Sequence, residues 1–138
     1  MSAPAWSQLR DALRLAFGTL TVLPVKPPSA VDKQVAGWAM ALGPLVGTVL
    51  GGVAALAARG LSTLWSPLLV AVFVVALLAV TTRLIHWDGL ADTADGLGSG
   101  RDAGIALEIM RRSDIGPFGV FTLVLVFAVQ VATVTALL

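Results

Sequence analysis

Residues 115–138 read IGPFGVFTLVLVFAVQVATVTALL, twenty-four positions without a charged side chain. About 20 consecutive apolar residues carry a helix across a bilayer. Lipid offers no partner for backbone polar groups, so runs this long and continuous suit helices rather than barrel strands. Two similar runs precede it, 25 uncharged residues at 34–58 and 23 at 60–82. The chain therefore reads as an all-α integral membrane protein with about three transmembrane helices, at 37–58, 65–85 and 115–138. All lie in one membrane domain spanning 1–138. Composition agrees: 57% of the 138 residues are hydrophobic and 12% are charged, where a soluble domain carries about 25% charged. A soluble core of three buried helices would need polar helices to cover it, and the sequence has none.

The flanks of these runs carry the expected anchors. Trp38 and Trp65 fall where the first two helices begin, Trp87 lies just past the second, and Trp6 is in the N-terminal segment; indole rings favour the headgroup level. Residues 5–23 form an amphipathic helix, with Leu9, Leu13, Ala16 and Leu20 on one face and Ser7, Arg10, Asp11 and Arg14 largely off it. PVKPPSA follows in place of a small-residue cleavage site, so a cleaved signal peptide is not expected. PVKPP reads as an extended linker. In the first span Pro44 should bend the helix, and Gly43, Gly47 and Gly51 form a small-residue stripe suited to helix packing. Basic residues are four before that span, one (Arg59) in the first connection, and four in the second. The positive-inside bias puts the N-terminus and residues 86–114 in the cytoplasm, at the cell (inner) membrane. A net charge of +1 gives no field for nucleic acid and leaves the lipid bilayer as the expected surrounding. Without cysteine there are no disulfides or thiolate ligands.

Six of the eight acidic residues lie between 88 and 114. In HWDGLADTADG, residues 86–96, Asp88, Asp92 and Asp95 recur at i, i+4 and i+7, one stripe of a short helical acidic connection. Like charges in a row repel, and divalent metal offsets that repulsion. Magnesium is commonly shared between one or two carboxylates and substrate phosphates, so the three aspartates are the candidate metal ligands and catalytic residues. Gly89 and Gly96 leave room for a bulky ligand. A solvated acidic loop explains loosely spaced acids well and this stripe poorly. Asp102 is placed to cap a helix running to about residue 112, and Asp114 to cap the third span, with Pro117 in its first turn. Two readings stay open for Arg101, Arg111, Arg112 and Glu108: phosphate binding by the guanidinium groups, or pairing of Glu108 with Arg111 and Arg112 inside a helix. His86, the sole histidine, is either a base or a hydrogen-bonded structural residue. No nucleophile elbow and no P-loop occur. The chemistry that remains is transfer of a phosphate-linked group without a covalent enzyme intermediate.

HWDGLADTADG followed by LEIMRRSDIGPFGV resembles the cobalamin synthase family, the membrane-bound adenosylcobinamide-GDP ribazoletransferases. That family carries H-x-D-G-L-x-D-x-x-D-G and then E-I-M…S…I-G…G-V. FGTLTVLPV, residues 17–25, is similar to its N-terminal F-x-T-x-L-P-V stretch. The resemblance implies attack by a ribose hydroxyl of α-ribazole, or of its 5′-phosphate, on the phosphorus joined to cobinamide, with GMP leaving. It implies Mg2+ as cofactor, a late step of cobalamin biosynthesis, and supporting roles for Glu108, Ser113, Asp114, Gly89 and Gly96. Many members read Asp-Ser-Arg or Asp-Ser-Lys where this chain has Arg112-Ser113-Asp114. Members are also longer, with further membrane helices, so the resemblance covers their N-terminal half. An oligomer or second chain supplying those helices is the implied partner. The rival readings are a CDP-alcohol phosphatidyltransferase-like enzyme, which wants an arginine near Asp92, a cation-transporter subunit, which wants more polar spans, and a truncated non-catalytic membrane subunit.

Overall fold

The computed structural model describes residues 5–138. Seven helices and no strand occur among them: α1 (Ala5–Leu20), α2 (Lys33–Ala41), α3 (Gly43–Leu61), α4 (Pro67–Thr81), α5 (Ile85–Gly98), α6 (Ala103–Ile109) and α7 (Pro117–Leu137). The all-α membrane reading holds. α2 and α3 together form an apolar 29-residue stretch, and α7 is another of 21. Either is long enough to cross a bilayer. α4 has 15 residues, about 22 Å of helix, and meets α5 at a bend of 89°. Two helices can thus span alone, and the count reaches three if α4 and α5 cross as one bent pair.

Local chemistry sets the breaks. Asp32 caps α2 by accepting from the Val35 N–H at 2.7 Å. The interruption at Leu42 precedes Pro44 in the first turn of α3, where the missing N–H and the ring disturb the helical ladder. The α4–α5 bend was not signalled by any glycine or proline. Arg83 donates its N–H to Val80 O and Leu84 to Ala79 O, at 3.0 and 2.9 Å, the paired bonds of a Schellman end. Arg83 and Leu84 consequently hold φ of 55° and 58°, a left-handed conformation that costs a residue with a Cβ about 1–2 kcal/mol.

Small side chains make the helix contacts. Ala12 and Ala16 of α1 pack with Val35, Ala39 and Val46. Ala54 and Ala58 of α3 meet Val70 and Val74 of α4, and Ala71 and Val75 meet Val131 of α7. Alanine and valine at such crossings allow close approach where lipid gives no hydrophobic drive. Larger apolar side chains such as Leu56 and Phe121 face outward.

Two expectations need correction. The buried face of α1 centres on Ala12 and Ala16 rather than on Leu9, which is exposed. That rotation carries Asp11 inside, 5% exposed and 3.5 Å from the Arg14 guanidinium, with its Oδ1 atom lacking a hydrogen-bond partner. The Gly43, Gly47 and Gly51 stripe has no neighbour within 4 Å of an added Cβ, so the intrachain packing falls on Ala54 and Ala58 instead. After α1 the linker is tied down: the fully buried Thr21 donates to Phe17 O at 2.6 Å and accepts from the Leu23 N–H at 3.1 Å. Next to it, the Val22 N–H donates to Thr81 O at 2.8 Å, joining the linker to the end of α4.

Candidate active site

The acidic block folds as α5, so Asp88, Asp92 and Asp95 do share a stripe. α5 packs more extensively on α7 than on any other helix. The two run antiparallel: Trp87 meets Phe127 with ring centroids 6.2 Å apart, while at the other end Gly98 faces the Phe118 ring. The stripe therefore lies along an apolar helix long enough to span a bilayer, instead of in a free loop. Burial deepens along it, from exposed Asp88 through half-buried Asp92 to Asp95 at 8% exposure.

Asp95 reaches the start of α7. Its Oδ2 accepts the Gly116 N–H at 2.7 Å and its Oδ1 the Gly119 N–H at 2.8 Å. Asp114, expected to cap this helix, does not, since the cap position is Gly116. Asp102 occupies the cap position of α6 but makes no side-chain cap bond. Of the two glycines expected to admit a ligand, Gly89 faces open space, whereas the space at Gly96 is filled by the Met110 side chain.

A cavity of about 280 Å³ opens beside the cap and is lined by Asp95, Ser99, Arg112, Asp114 and Phe118, among others. It brings Arg112 and Asp114 to the end of the stripe. Arg101 and Arg111 are exposed and do not line it. Glu108 and Ser113 are exposed as well. The ion pair of Glu108 with Arg111 or Arg112 is not formed; among the described residues the one ion pair is Arg14–Asp11. The reason is local: α6 ends at Ile109, so the arginines lie beyond the helical spacing that such a pair requires. His86 points elsewhere. It lines a second cavity of about 360 Å³ with Trp87, Val75, Gln130 and Thr133. It lies two positions before Asp88, which puts the side chains about 200° apart round the helix.

Among the described residues, no three His, Asp or Glu side chains converge to hold a metal unaided. Asp88 and Asp92, one turn apart beside the open space at Gly89, suit a magnesium ion that completes its shell with phosphate oxygens and water. Sequence reading missed the Asp95 cap and the contributions of Gln130 and Thr133 to the second cavity. The glycines at 116 and 119, three apart at the start of a helix, were the available signal for the first.

The family model for cobalamin-5-phosphate synthase matches residues 12–138. An adenosylcobinamide-GDP ribazoletransferase from a Nocardioides species is 47% identical over 131 residues, covering 94% of this chain and 57% of that protein. Those of Syntrophobacter fumaroxidans and Frankia casuarinae are 44% and 46% identical, covering 96% and 88% of this chain and 53% and 47% of theirs. The chain thus spans about half the length of the curated relatives it matches. No solved structure matches it. With the family model covering nearly all of the sequence, the chain belongs to the cobalamin-5-phosphate synthase family.

Proposed function

We propose that this chain carries the diphosphate-handling site of an adenosylcobinamide-GDP ribazoletransferase. The observation that carries the reading is the α5 stripe, held against α7 with Arg112 at its buried end, in a chain of this family. In the proposed reaction a ribose hydroxyl of α-ribazole, or of its 5′-phosphate, forms a new bond to the phosphorus attached to cobinamide. The bond from that phosphorus to the bridging oxygen breaks, and GMP departs with the electron pair. The hydroxyl proton passes to a carboxylate of the stripe, with Asp88 and Asp92 the accessible ones. Arg112 neutralises charge developing on the departing phosphate, and Arg101 and Arg111 attract the anionic substrate from outside the cavity. Asp88 and Asp92 would hold magnesium, which would supply charge neutralisation for the diphosphate and its leaving group.

We further propose that α4 and α5 cross the inner membrane together as one broken span. The N-terminus and residues 99–116 then share the cytoplasmic side, a shorter segment than the 86–114 expected from sequence because α5 joins the span, and still in agreement with the distribution of basic residues. Helices corresponding to the rest of the relatives, in the same polypeptide or from a second chain, complete the substrate enclosure.

The reading is tested by incubating the reconstituted chain with adenosylcobinamide-GDP, α-ribazole and Mg2+, alone and with the remaining helices of the Nocardioides relative. Adenosylcobalamin and GMP are expected in equal amounts by mass spectrometry. Absence of both products in both formats overturns it.

A further inference from the structure

We infer that Asp95 is a positioning residue and not a metal ligand: its carboxylate caps α7 from a neighbouring helix and so fixes the helix that bears Asp88 and Asp92.

The start of a helix leaves four backbone donors without intrahelical partners. In α7 the four positions are Gly116, Pro117, Phe118 and Gly119, because the first intrahelical bond is from the Val120 N–H to Gly116 O at 3.0 Å. Proline has no N–H, and Gly116 at the cap position has no side chain to accept one. Asp95 takes the donors of Gly116 and Gly119, one on each oxygen. Of the four positions only Phe118 keeps a donor outside this arrangement. Orphaned donors in apolar surroundings are costly, and a carboxylate at a helix N-terminus also meets the positive end of the helix dipole.

The glycines fit the same arrangement. A Cβ at Gly116 would run into the Asp95 carboxylate, and one at Gly119 into both that carboxylate and Ala91 O, the latter at 3.1 Å. Asp95, Gly116 and Gly119 therefore form one device, closed to side chains on the α7 side. With 92% of its surface covered, from 8% exposure, and both oxygens committed to N–H donors, Asp95 differs from exposed Asp88 and half-buried Asp92. The α7 N-terminus is likewise occupied by a protein carboxylate, so Arg112 is left to receive substrate phosphate in the adjoining cavity. The cap stands on geometry alone. Its service to Asp88 and Asp92 rests on the proposed transferase reading.

The test uses the reconstituted chain and four substitutions: Asp95→Asn, Gly119→Ala, Asp88→Asn and Asp92→Asn. Mn2+ binding is read by electron paramagnetic resonance, and exchange of the Gly116 and Gly119 amides by NMR. Asp95→Asn is expected to speed exchange of those amides about tenfold or more while leaving the Mn2+ dissociation constant within about twofold, because Asp88 and Asp92 stay one turn apart on α5 whether or not that helix is tied to α7. Asp88→Asn and Asp92→Asn should do the reverse, weakening Mn2+ binding about tenfold or more with the amides unchanged. Gly119→Ala keeps every carboxylate yet should reproduce the Asp95→Asn pattern, which decides the matter if Asp95→Asn fails to fold. Loss of Mn2+ binding in Asp95→Asn without faster amide exchange overturns the inference, as does Gly119→Ala with parental exchange. Neither readout needs turnover. Failure to release GMP would therefore sink the transferase reading and leave the cap standing.

Discussion

Gly119 and Gly89 are identical residues in opposite circumstances. Around Gly119 an added methyl group meets the Asp95 carboxylate and the Ala91 carbonyl, while around Gly89 it meets nothing within 4 Å. Gly119→Ala should therefore cost about 1–3 kcal/mol through overpacking. Gly89→Ala, in the interior of α5, should gain about 0.5–1 kcal/mol from a stiffer unfolded chain. Denaturant unfolding in detergent, followed by helical circular dichroism, reads both signs. The sequence spacing of Asp88, Asp92 and Asp95 was sufficient to place them on one stripe, because helical geometry follows from i, i+4, i+7 alone. It could not tell Asp95 from the other two. What distinguishes Asp95 is a pair of amides 21 and 24 residues away, and long-range partners leave no periodic trace. Asp11 escaped for a related reason: the alanines beside it allow α1 to roll toward α2, and the carboxylate goes with them.

Among the elements, the α4–α5 corner departs furthest from the sequence pattern. The uncharged run stops at Thr82, and apolar Leu84 and Ile85 follow Arg83 with no glycine or proline, so the sequence marks an end to the run but not a sharp turn at Arg83 and Leu84. The turn exists because α5 buries itself against α7, and the two left-handed residues absorb the cost. Arg83→Gly should relieve part of that cost and raise stability by about 1 kcal/mol, seen as a higher unfolding midpoint; an unchanged or lower midpoint would contradict the strained corner. The linker is the corner's neighbour. Thr21→Val removes both the donor to Phe17 O and the acceptor for the Leu23 N–H, and should cost about 1–3 kcal/mol because the Leu23 donor is left unpaired. By contrast, the apolar helices α3 and α7 were plainly legible, since an uncharged run of that length has few alternatives.

For the whole molecule, the way α4 and α5 cross decides which side of the membrane each connection faces. If α4 and α5 form one broken span, the linker and the α6–α7 turn lie on the same side. If the pair dips in and returns, they lie on opposite sides. Without a native cysteine, single substitutions Ser29→Cys, Thr63→Cys and Ser113→Cys, all at exposed positions, report this directly. With an impermeant maleimide on oriented vesicles, Ser29→Cys and Ser113→Cys should label together and Thr63→Cys from the other face. Co-labelling of Ser113→Cys with Thr63→Cys would establish a re-entrant pair instead. In the proposed reaction the exposed part of the α5 stripe performs the transfer. Magnesium-dependent GMP release from adenosylcobinamide-GDP and α-ribazole, compared between the parent chain and Asp92→Asn with the relative's remaining helices supplied to both, tests it most directly. A loss of at least about 100-fold is predicted for the variant, the scale expected when a preorganised charge-stabilising contact is removed, whereas release from Asp92→Asn at the parent's rate would contradict the account.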